Sequence, residues 1–226
     1  DMHGANLIKE LKLLRPKSEF RGWGGDKMKS QGANVVKHYK ELAFMGFAEV
    51  LMNIRTILKN FKICKKDILE YKPDAVILID YPGFNLRIAK FLHENNIKVF
   101  FYISPTVWAW KESRVHKIKK VVDHMFVILP FEKPFYEKFE YHVDFVGNPL
   151  LDEIVQYKES TNSHSTFKKE YNLPDKKIIA LLPGSRTQEI KTKLPVMLSV
   201  IQNYPNYHFV IAGAPSQDKE NYQAII

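Results

Sequence analysis

Cysteine is nearly missing from this chain, with Cys64 alone among 226 residues. A single thiol excludes an intrachain disulfide, so a reducing compartment is expected. Cys64 lies in a lysine-rich stretch on a predicted helix at 60–66, where a half-buried, inert thiol is the prediction. No run reaches the roughly 20 apolar residues that a membrane-spanning helix needs, and the first residues carry no recognisable secretory signal.

The spacings of metal centres and of common nucleophile motifs are missing too. His124 and His142 do not stand at metal-ligand spacing. Ser185 lacks the Gly-x-Ser-x-Gly context of a hydrolase nucleophile. The glycines form neither a complete Walker loop nor a dinucleotide fingerprint. We therefore predict no metal and no cofactor.

Positive charge is in excess, with a formal net charge of +9. The lysines are spread along the chain, which indicates attraction to anions in general. Charge alone is compatible with phosphorylated small molecules, an anionic membrane surface and nucleic acid. No clustered basic stripe or aromatic stacking platform supports nucleic acid as a partner.

Strand-like and helix-like segments alternate along the chain. The clearest strand is Ala75–Asp80, where Val76–Ile79 is an unbroken run of branched aliphatics that predicts a parallel strand covered on both faces. Further strands are predicted at 18–23, 98–103, 124–129, 143–146, 178–182 and 208–212, with helices between most of them. This alternation predicts a doubly wound parallel sheet of the α/β class.

The texture of the sequence changes between residues 151 and 174, where residues 159–166 are polar and unpatterned. We therefore predict a first domain at 1–150, a linker region at 151–174 and the start of a second α/β domain at 175–226.

Asp80 directly follows the clearest strand and precedes Pro82-Gly83. Open α/β sheets bind their ligands at the carboxyl ends of the strands. A carboxylate at that edge, flanked by Tyr81 and Phe84, is a candidate general base. The spacing equally favours a structural role, in which Asp80 caps the following helix or fixes the turn.

A second strand end reads Leu-Pro-Gly-Ser-Arg over Leu182–Arg186 and leads into a predicted helix. Gly184 lets backbone amides approach a ligand, Ser185 offers a hydroxyl and an amide, and Arg186 can hold a phosphate with two parallel donors. This pattern favours phosphate binding. The alternative is a surface pair between Arg186 and Glu189.

The loop after residue 103 holds Ser104, Trp108 and Trp110. Two tryptophans two residues apart can line a sugar or acyl pocket. Core packing of at least one tryptophan is the alternative.

A broad apolar stripe with helical spacing runs from Phe44 to Phe61. Its width beside a lysine cluster that begins at Lys59 is typical of a helix resting on an anionic membrane. An amphipathic helix packed against the sheet is the alternative. The residues predicted to contact the membrane are Phe47, Val50, Leu51, Ile54, Ile57 and Leu58.

These segments, in this order, resemble lipid-A-disaccharide synthase, a family of inverting glycosyltransferases of the two-domain GT-B type. The matching segments are His3–Leu11, Gly24–Met28, Glu41–Leu51, Lys72–Asn85, Tyr102–Ile118, Leu129–Lys138, Phe145–Asp152 and Leu181–Ile190. The resemblance implies two Rossmann-like doubly wound domains, the second incomplete. It also implies that the family's first strand would precede Asp1.

The resemblance further implies an activity. Family members join UDP-2,3-diacylglucosamine to 2,3-diacylglucosamine 1-phosphate, forming a β-1,6-linked disaccharide and releasing UDP. The implied partners are therefore a UDP-linked acylated sugar, an acylated sugar phosphate and the anionic surface of the inner membrane, on its cytoplasmic side. Another GT-B enzyme, such as a UDP-sugar epimerase, is the alternative.

The same resemblance implies roles for individual side chains. Asp80 would take the proton of the acceptor hydroxyl, and the loop of Gly184, Ser185 and Arg186 would stabilise the departing diphosphate. The remaining substrate contacts would be made by Asn85, Ser104, Trp108 and Trp110.

Overall fold

Parallel strands and helices alternate through the part of the chain that the computed structural model describes, residues 1–42, 54–160, 164–214 and 217–226. The chain divides into two units, Asp1–Ile154 and Val155–Ile226. This division lies inside a helix, where the sequence analysis placed a linker region. The domain bounds drawn from composition stay a prediction.

All strand pairs in the described residues are parallel. In the first unit β1 pairs with β2, and four further strands form a sheet in the order β3-β4-β5-β6; in the second unit β7 pairs with β8. The strands are β1 (Arg21–Gly24), β2 (Asn34–His38), β3 (Ala75–Ile79), β4 (Lys98–Tyr102), β5 (His124–Val127), β6 (Asp144–Phe145), β7 (Lys177–Leu181) and β8 (Tyr207–Ile211).

Helices connect these strands, as the crossovers of parallel pairs require. In chain order they are α1 (Met2–Leu14), α2 (Asp26–Ser30), α3 (Ile54–Tyr71), α4 (Pro82–Glu94), α5 (Val107–Trp110), α6 (Val115–Val121), α7 (Glu132–Glu137), α8 (Leu150–Ser160), α9 (His164–Glu170), α10 (Thr187–Ser199) and α11 (Glu220–Gln223).

The core of the first unit lies between the four-stranded sheet and its helices. On β4 the buried residues alternate, with Val99 and Phe101 enclosed. On α4 the enclosed residues Ile88 and Leu92 are one helical turn apart. Each such side chain stabilises the fold by about 1.5–3 kcal/mol when it leaves water. This packing fixes the direction in which every strand end points.

The first strand of the four-stranded sheet is less covered than its sequence predicts. In β3 Leu78 is buried, but Ile77 keeps 38% of its surface exposed. The prediction of a strand covered on both faces is therefore wrong in this structure, because the face that carries Ile77 is only partly covered. The predicted parallel pairing is confirmed by its register with β4.

Other differences from the predicted elements are local. Strand β2 was not predicted, and helices α8 and α9 occupy much of the stretch predicted as a linker. The polar run that suggested a loop includes residues 159 and 160 at the end of α8. Asp152 and Glu153 in its first turn favour helix formation there, because they lie near the positive end of the helix dipole.

The core of the second unit is smaller. Ile190 and Leu194, one turn apart on α10, pack with Tyr222, whose hydroxyl accepts the backbone N–H of Ala214 at 2.9 Å. Among the described residues no helix combines the length and the apolar character needed to cross a membrane.

Candidate functional site

Asp80 lies one residue beyond β3, at the carboxyl edge of the four-stranded sheet. Its backbone N–H donates to the carbonyl of Tyr102 at 2.9 Å, which extends the β3–β4 pairing past the end of the strand. Asp80 and Tyr81 then adopt φ values of +48° and +47°. Left-handed geometry costs residues other than glycine on the order of 1–3 kcal/mol each. A strained turn thus presents the exposed Asp80 side chain at this edge.

Asn85 holds this turn from the first part of α4. Its side-chain amide donates to the carbonyl of Asp80 at 2.6 Å and to the carbonyl of Ile79 at 3.1 Å. The N-cap position of α4 is Tyr81, so Asp80 itself is not the N-cap residue. The predicted role of Asn85 in substrate binding stays a prediction, while its observed contacts support the Asp80 backbone.

The neighbouring strand end is fixed by a buried carboxylate. Ser104, after β4, donates its hydroxyl to Glu132, and Glu132 also accepts the backbone N–H groups of Ile128 at 3.1 Å and Leu129 at 2.8 Å. Glu132 therefore ties the loop after β4 to the loop after β5. Ser104 is buried, so its proposed contact with substrate competes with an existing structural bond.

The two tryptophans of this loop differ in environment. Trp108 is half-buried and meets Phe131 edge to face at 4.8 Å. Its indole N–H is enclosed and finds no hydrogen-bond partner among the described residues. Trp110 is 70% exposed, with the Arg114 guanidinium 5.0 Å from its ring centre. Trp108 thus has the core contact that the sequence offered as an alternative, and Trp110 has a surface available for a ligand.

His3 was not among the predicted site residues. It lies in the first turn of α1, half-buried, and the Asp80 carboxylate is near enough to act on its pKa. One turn further, Asn6 donates to Glu153 of α8 at 2.6 Å. The sequence predicts a helix at the start of the chain, but helical spacing alone does not show which strand end that helix lies near.

In the second unit, the loop Leu182–Arg186 joins β7 to α10. Gly184 has φ +116°, which a residue with a side chain rarely adopts. A Cβ there would lie 2.5 Å from Glu189 Oε2. The glycine is therefore required by both its backbone and the close approach of Glu189.

The anion predicted for this loop is supplied in the structure by Glu189. Its carboxylate accepts the Ser185 N–H at 3.3 Å. It also lies 3.7 Å from Arg186 Nη1 and 4.0 Å from Lys193 Nζ. The surface pair weighed as an alternative thus exists. The same donors form an anion-binding geometry at the start of a 13-residue helix.

The predicted membrane helix is described in part. Phe47, Val50 and Leu51 lie outside the described residues, as does the side chain of Ile54. Ile57 packs against the core, whereas Leu58 is 53% exposed.

The lysines beside it, Lys59, Lys62 and Lys66, are exposed. On the same helix, burial raises the pKa of Cys64 to about 12, so its thiol is protonated at neutral pH and matches the predicted inert character.

The fold defines a class of protein: α/β proteins built on parallel sheets whose strands alternate with helices. Two solved structures share this fold. S. aureus MnaA with UDP gives a TM-score of 0.59 at 14% identity and covers 99% of this chain and 62% of that one. UDP-GlcNAc 2-epimerase from Neisseria meningitidis, bound to UDP-GlcNAc, gives a TM-score of 0.52 at 15% identity. The match covers 98% of this chain and 64% of that one. The predicted fold class is confirmed.

The particular family follows from sequence. The profile of the lipid-A-disaccharide synthetase family matches residues 1–225, and the chain belongs to that family. Lipid-A-disaccharide synthase of Geobacter metallireducens is 40% identical over 220 residues, 96% of this chain and 56% of the relative. Lipid-A-disaccharide synthase of Coxiella burnetii is 42% identical over 199 residues, which are 88% of this chain and 52% of the relative. The chain spans just over half the length of these curated relatives.

Proposed function

We propose that the full-length protein joins UDP-2,3-diacylglucosamine to 2,3-diacylglucosamine 1-phosphate, forming the β-1,6-linked lipid A disaccharide and releasing UDP. The observation that carries this proposal is membership of the lipid-A-disaccharide synthetase family across residues 1–225. The exposed carboxylate at the carboxyl edge of the sheet supplies the group that such a transfer requires.

Asp80 acts as the general base in this proposal. It takes the proton of the acceptor hydroxyl as that oxygen attacks the anomeric carbon of the donor. The new carbon–oxygen bond forms on one face of the sugar, while the bond to the diphosphate breaks on the other face. The electron pair of the broken bond leaves with UDP. Because attack and departure occur on opposite faces, the anomeric configuration inverts.

The loop of Gly184, Ser185 and Arg186 stabilises the negative charge that develops on the diphosphate. The backbone amide of Ser185 and the Arg186 guanidinium now face Glu189. A diphosphate carries more negative charge than one carboxylate and offers more acceptor oxygens. It therefore replaces Glu189 as the partner of these donors.

The protein is proposed to work on the cytoplasmic face of the inner membrane, as a peripheral protein. Leu58 is exposed beside Lys59 and Lys62. An apolar side chain flanked by lysines suits the boundary of an anionic bilayer, where each lysine near the surface contributes about 1 kcal/mol. This location gives access to substrates that carry acyl chains.

The proposal is tested with Asp80→Asn in the full-length protein, incubated with both acylated substrates and followed by mass spectrometry of the disaccharide and of UDP. General-base catalysis contributes roughly 10²–10⁴-fold, so turnover should fall at least 100-fold. UDP affinity, measured by calorimetry, should remain nearly unchanged. Asp74→Asn is the matched control, because Asp74 is exposed just before the other end of β3.

Two results would contradict this reading. Near-normal turnover in Asp80→Asn would remove Asp80 as the base. Absence of disaccharide from the wild-type protein would remove the proposed transfer. The two solved structures that share the fold are of proteins crystallised with UDP or UDP-GlcNAc, so a panel of acylated and plain UDP-sugars should be included. Epimerised UDP-sugar as the product would favour the alternative.

A further inference from the structure

One side chain joins the two strand-end loops of the second unit. Gln217 lies in the loop after β8 and is half-buried. Its side-chain amide donates to the backbone carbonyl of Ser185, in the loop after β7, at 3.2 Å. The proposed function gives Gln217 no role.

Both ends of the Gln217 amide are engaged in hydrogen bonds. Its oxygen accepts the hydroxyl of Thr187 at 3.1 Å and the side-chain amide of Asn221 at 3.3 Å. Its nitrogen faces the carbonyl of Ser185, which can only accept a hydrogen bond. The partners therefore fix the orientation of the amide, with the nitrogen toward the loop after β7 and the oxygen toward the first residue of α10.

The core of the second unit holds Gln217 in place. Tyr222 is buried and packs with α10, and its hydroxyl accepts the N–H of Ala214 at 2.9 Å. The carbonyl of Ala214 in turn accepts the N–H of Gln217 at 3.0 Å. Gln217 thus links a core residue, through the backbone of its own loop, to the loop Leu182–Arg186, which is called the anion-binding loop below.

The bond from Gln217 also sets the direction of a second backbone group. The carbonyl of Ser185 shares a planar peptide group with the N–H of Arg186, and in the trans form these two groups point in opposite directions. A carbonyl directed at Gln217 therefore directs the Arg186 N–H away from Gln217. Arg186 is the N-cap residue of α10, and amides at the start of a helix are donors suited to anions.

Ser185 is held by two hydrogen bonds that differ in what a ligand does to them. Its N–H donates to Glu189 at 3.3 Å, and its carbonyl accepts from Gln217 at 3.2 Å. In the proposed function the diphosphate replaces Glu189, so the first bond is exchanged when the ligand binds. An anion cannot donate to a carbonyl oxygen, so the bond from Gln217 is not exchanged.

We propose that Gln217 is a positioning residue of the diphosphate site: it fixes the Ser185–Arg186 peptide and so keeps the donors of the anion-binding loop directed at the diphosphate of UDP. The inference rests on the proposed function. Without this bond the loop gains other orientations, and the apparent affinity for the ligand falls with the fraction of protein that holds the competent one.

The first experiment measures binding of UDP and inorganic pyrophosphate by calorimetry, and of uridine by ligand-observed NMR, in the full-length protein. Gln217→Met keeps the length of the side chain and removes both hydrogen-bonding ends. UDP and pyrophosphate should bind about three- to tenfold more weakly, the effect of losing a hydrogen bond that holds the competent loop. Uridine should bind within about twofold of wild type, because it carries no phosphate. Gln223→Met, at an exposed position on α11, is the control and should match wild type for all three ligands.

A second pair of variants isolates the bond to Ser185. Gln217→Glu retains an oxygen that accepts from Thr187 and Asn221 but has no donor for the Ser185 carbonyl. Gln223→Glu adds the same negative charge at an exposed position of the same unit. Gln217→Glu should weaken UDP binding at least about threefold more than Gln223→Glu does. This pair decides the question if Gln217→Met fails to fold, as judged by circular dichroism.

The outcomes separate the two proposals. UDP affinity within twofold of the matched control in the Gln217 variants, or an equal loss for UDP and uridine, would overturn the role of Gln217 while leaving the transfer intact. A wild-type protein that binds UDP but forms no disaccharide would remove the transfer, and the comparison of UDP with uridine would still decide the role of Gln217. A wild-type protein that does not bind UDP would overturn both.

Discussion

Asn85→Ala tests how the Asp80 edge is built. The substitution removes the amide that donates to the carbonyls of Ile79 and Asp80. Each bond contributes about 0.5–1.5 kcal/mol net, and alanine recovers up to about 0.7 kcal/mol of helix propensity. The substitution should therefore reduce the free energy that favours the strained turn over a relaxed one by about 1–2 kcal/mol. That loss corresponds to roughly a 5–30-fold change in the equilibrium constant between the strained and the relaxed turn.

The change should appear in kcat rather than in KM. A relaxed turn moves the Asp80 carboxylate away from the acceptor hydroxyl but leaves the groups that bind UDP untouched. We therefore expect kcat for disaccharide formation to fall by up to about 30-fold in the full-length protein, the limit reached when the relaxed turn predominates, with the KM for the UDP-sugar within about twofold of wild type.

A matched control exists at the other end of the same helix. Asn95, the C-cap residue of α4, donates its side-chain amide to the carbonyl of Phe91 at 2.7 Å. Asn95→Ala removes a similar bond away from the strand ends, so it should lower stability without lowering kcat. Equal kcat values for the two variants would refute the positioning role of Asn85. A raised KM with unchanged kcat would instead support direct contact between Asn85 and substrate.

Two further predictions concern the anion-binding loop and the membrane. Arg186→Ala should weaken UDP binding about tenfold by calorimetry, because one charge-assisted contact worth about 1.5–3 kcal/mol is lost and the release of Glu189 offsets part of that loss. Lys191→Ala removes an exposed charge from the same helix and should leave UDP binding unchanged. Equal effects of the two substitutions would indicate that only the total charge matters. Leu58→Ser should reduce binding to vesicles with anionic lipid without lowering the melting temperature, whereas Ile57→Ser should lower the melting temperature; unfolding in both variants would favour the core-packing alternative for this helix.

Most strands could be predicted from the sequence because their apolar runs are short and bounded by turn residues. Ala75–Ile79 and Lys98–Tyr102 begin where expected. Strand β2, Asn34–His38, has one apolar pair in a polar setting and gains its structure from pairing with β1. Propensity carries no information about such a pairing. Helix α8 was missed because the polar run at residues 159–166 was assigned to a linker region that begins at residue 151.

For the candidate site, the sequence indicated which residues reach the strand ends but not what they contact. Asp80, Ser104 and Gly184 follow their strands as expected. The commitment of Ser104 to Glu132 could not be read from residues 28 positions apart. The effect of the Asp80 carboxylate on the pKa of His3 likewise depends on how α1 packs. Local pattern fixes the placement of a residue along an element, and tertiary packing fixes its partners.

The carboxyl edge follows one physical rule: polar side chains bond to backbone groups where regular strand pairing stops. Asn85 donates to the carbonyls after β3, and Glu132 accepts amides after β5. Asp1 accepts the N–H groups of Gly25, Lys27 and Met28 at 2.9–3.2 Å, after β1.

Backbone groups at strand ends need partners as much as those within the sheet. Since Asn85 satisfies the carbonyl of Asp80, the exposed Asp80 carboxylate is not required to fix its own turn. The side chain is therefore available to a ligand, and its position depends on Asn85. This is why a substitution at Asn85 should alter the rate of transfer more than the affinity for UDP.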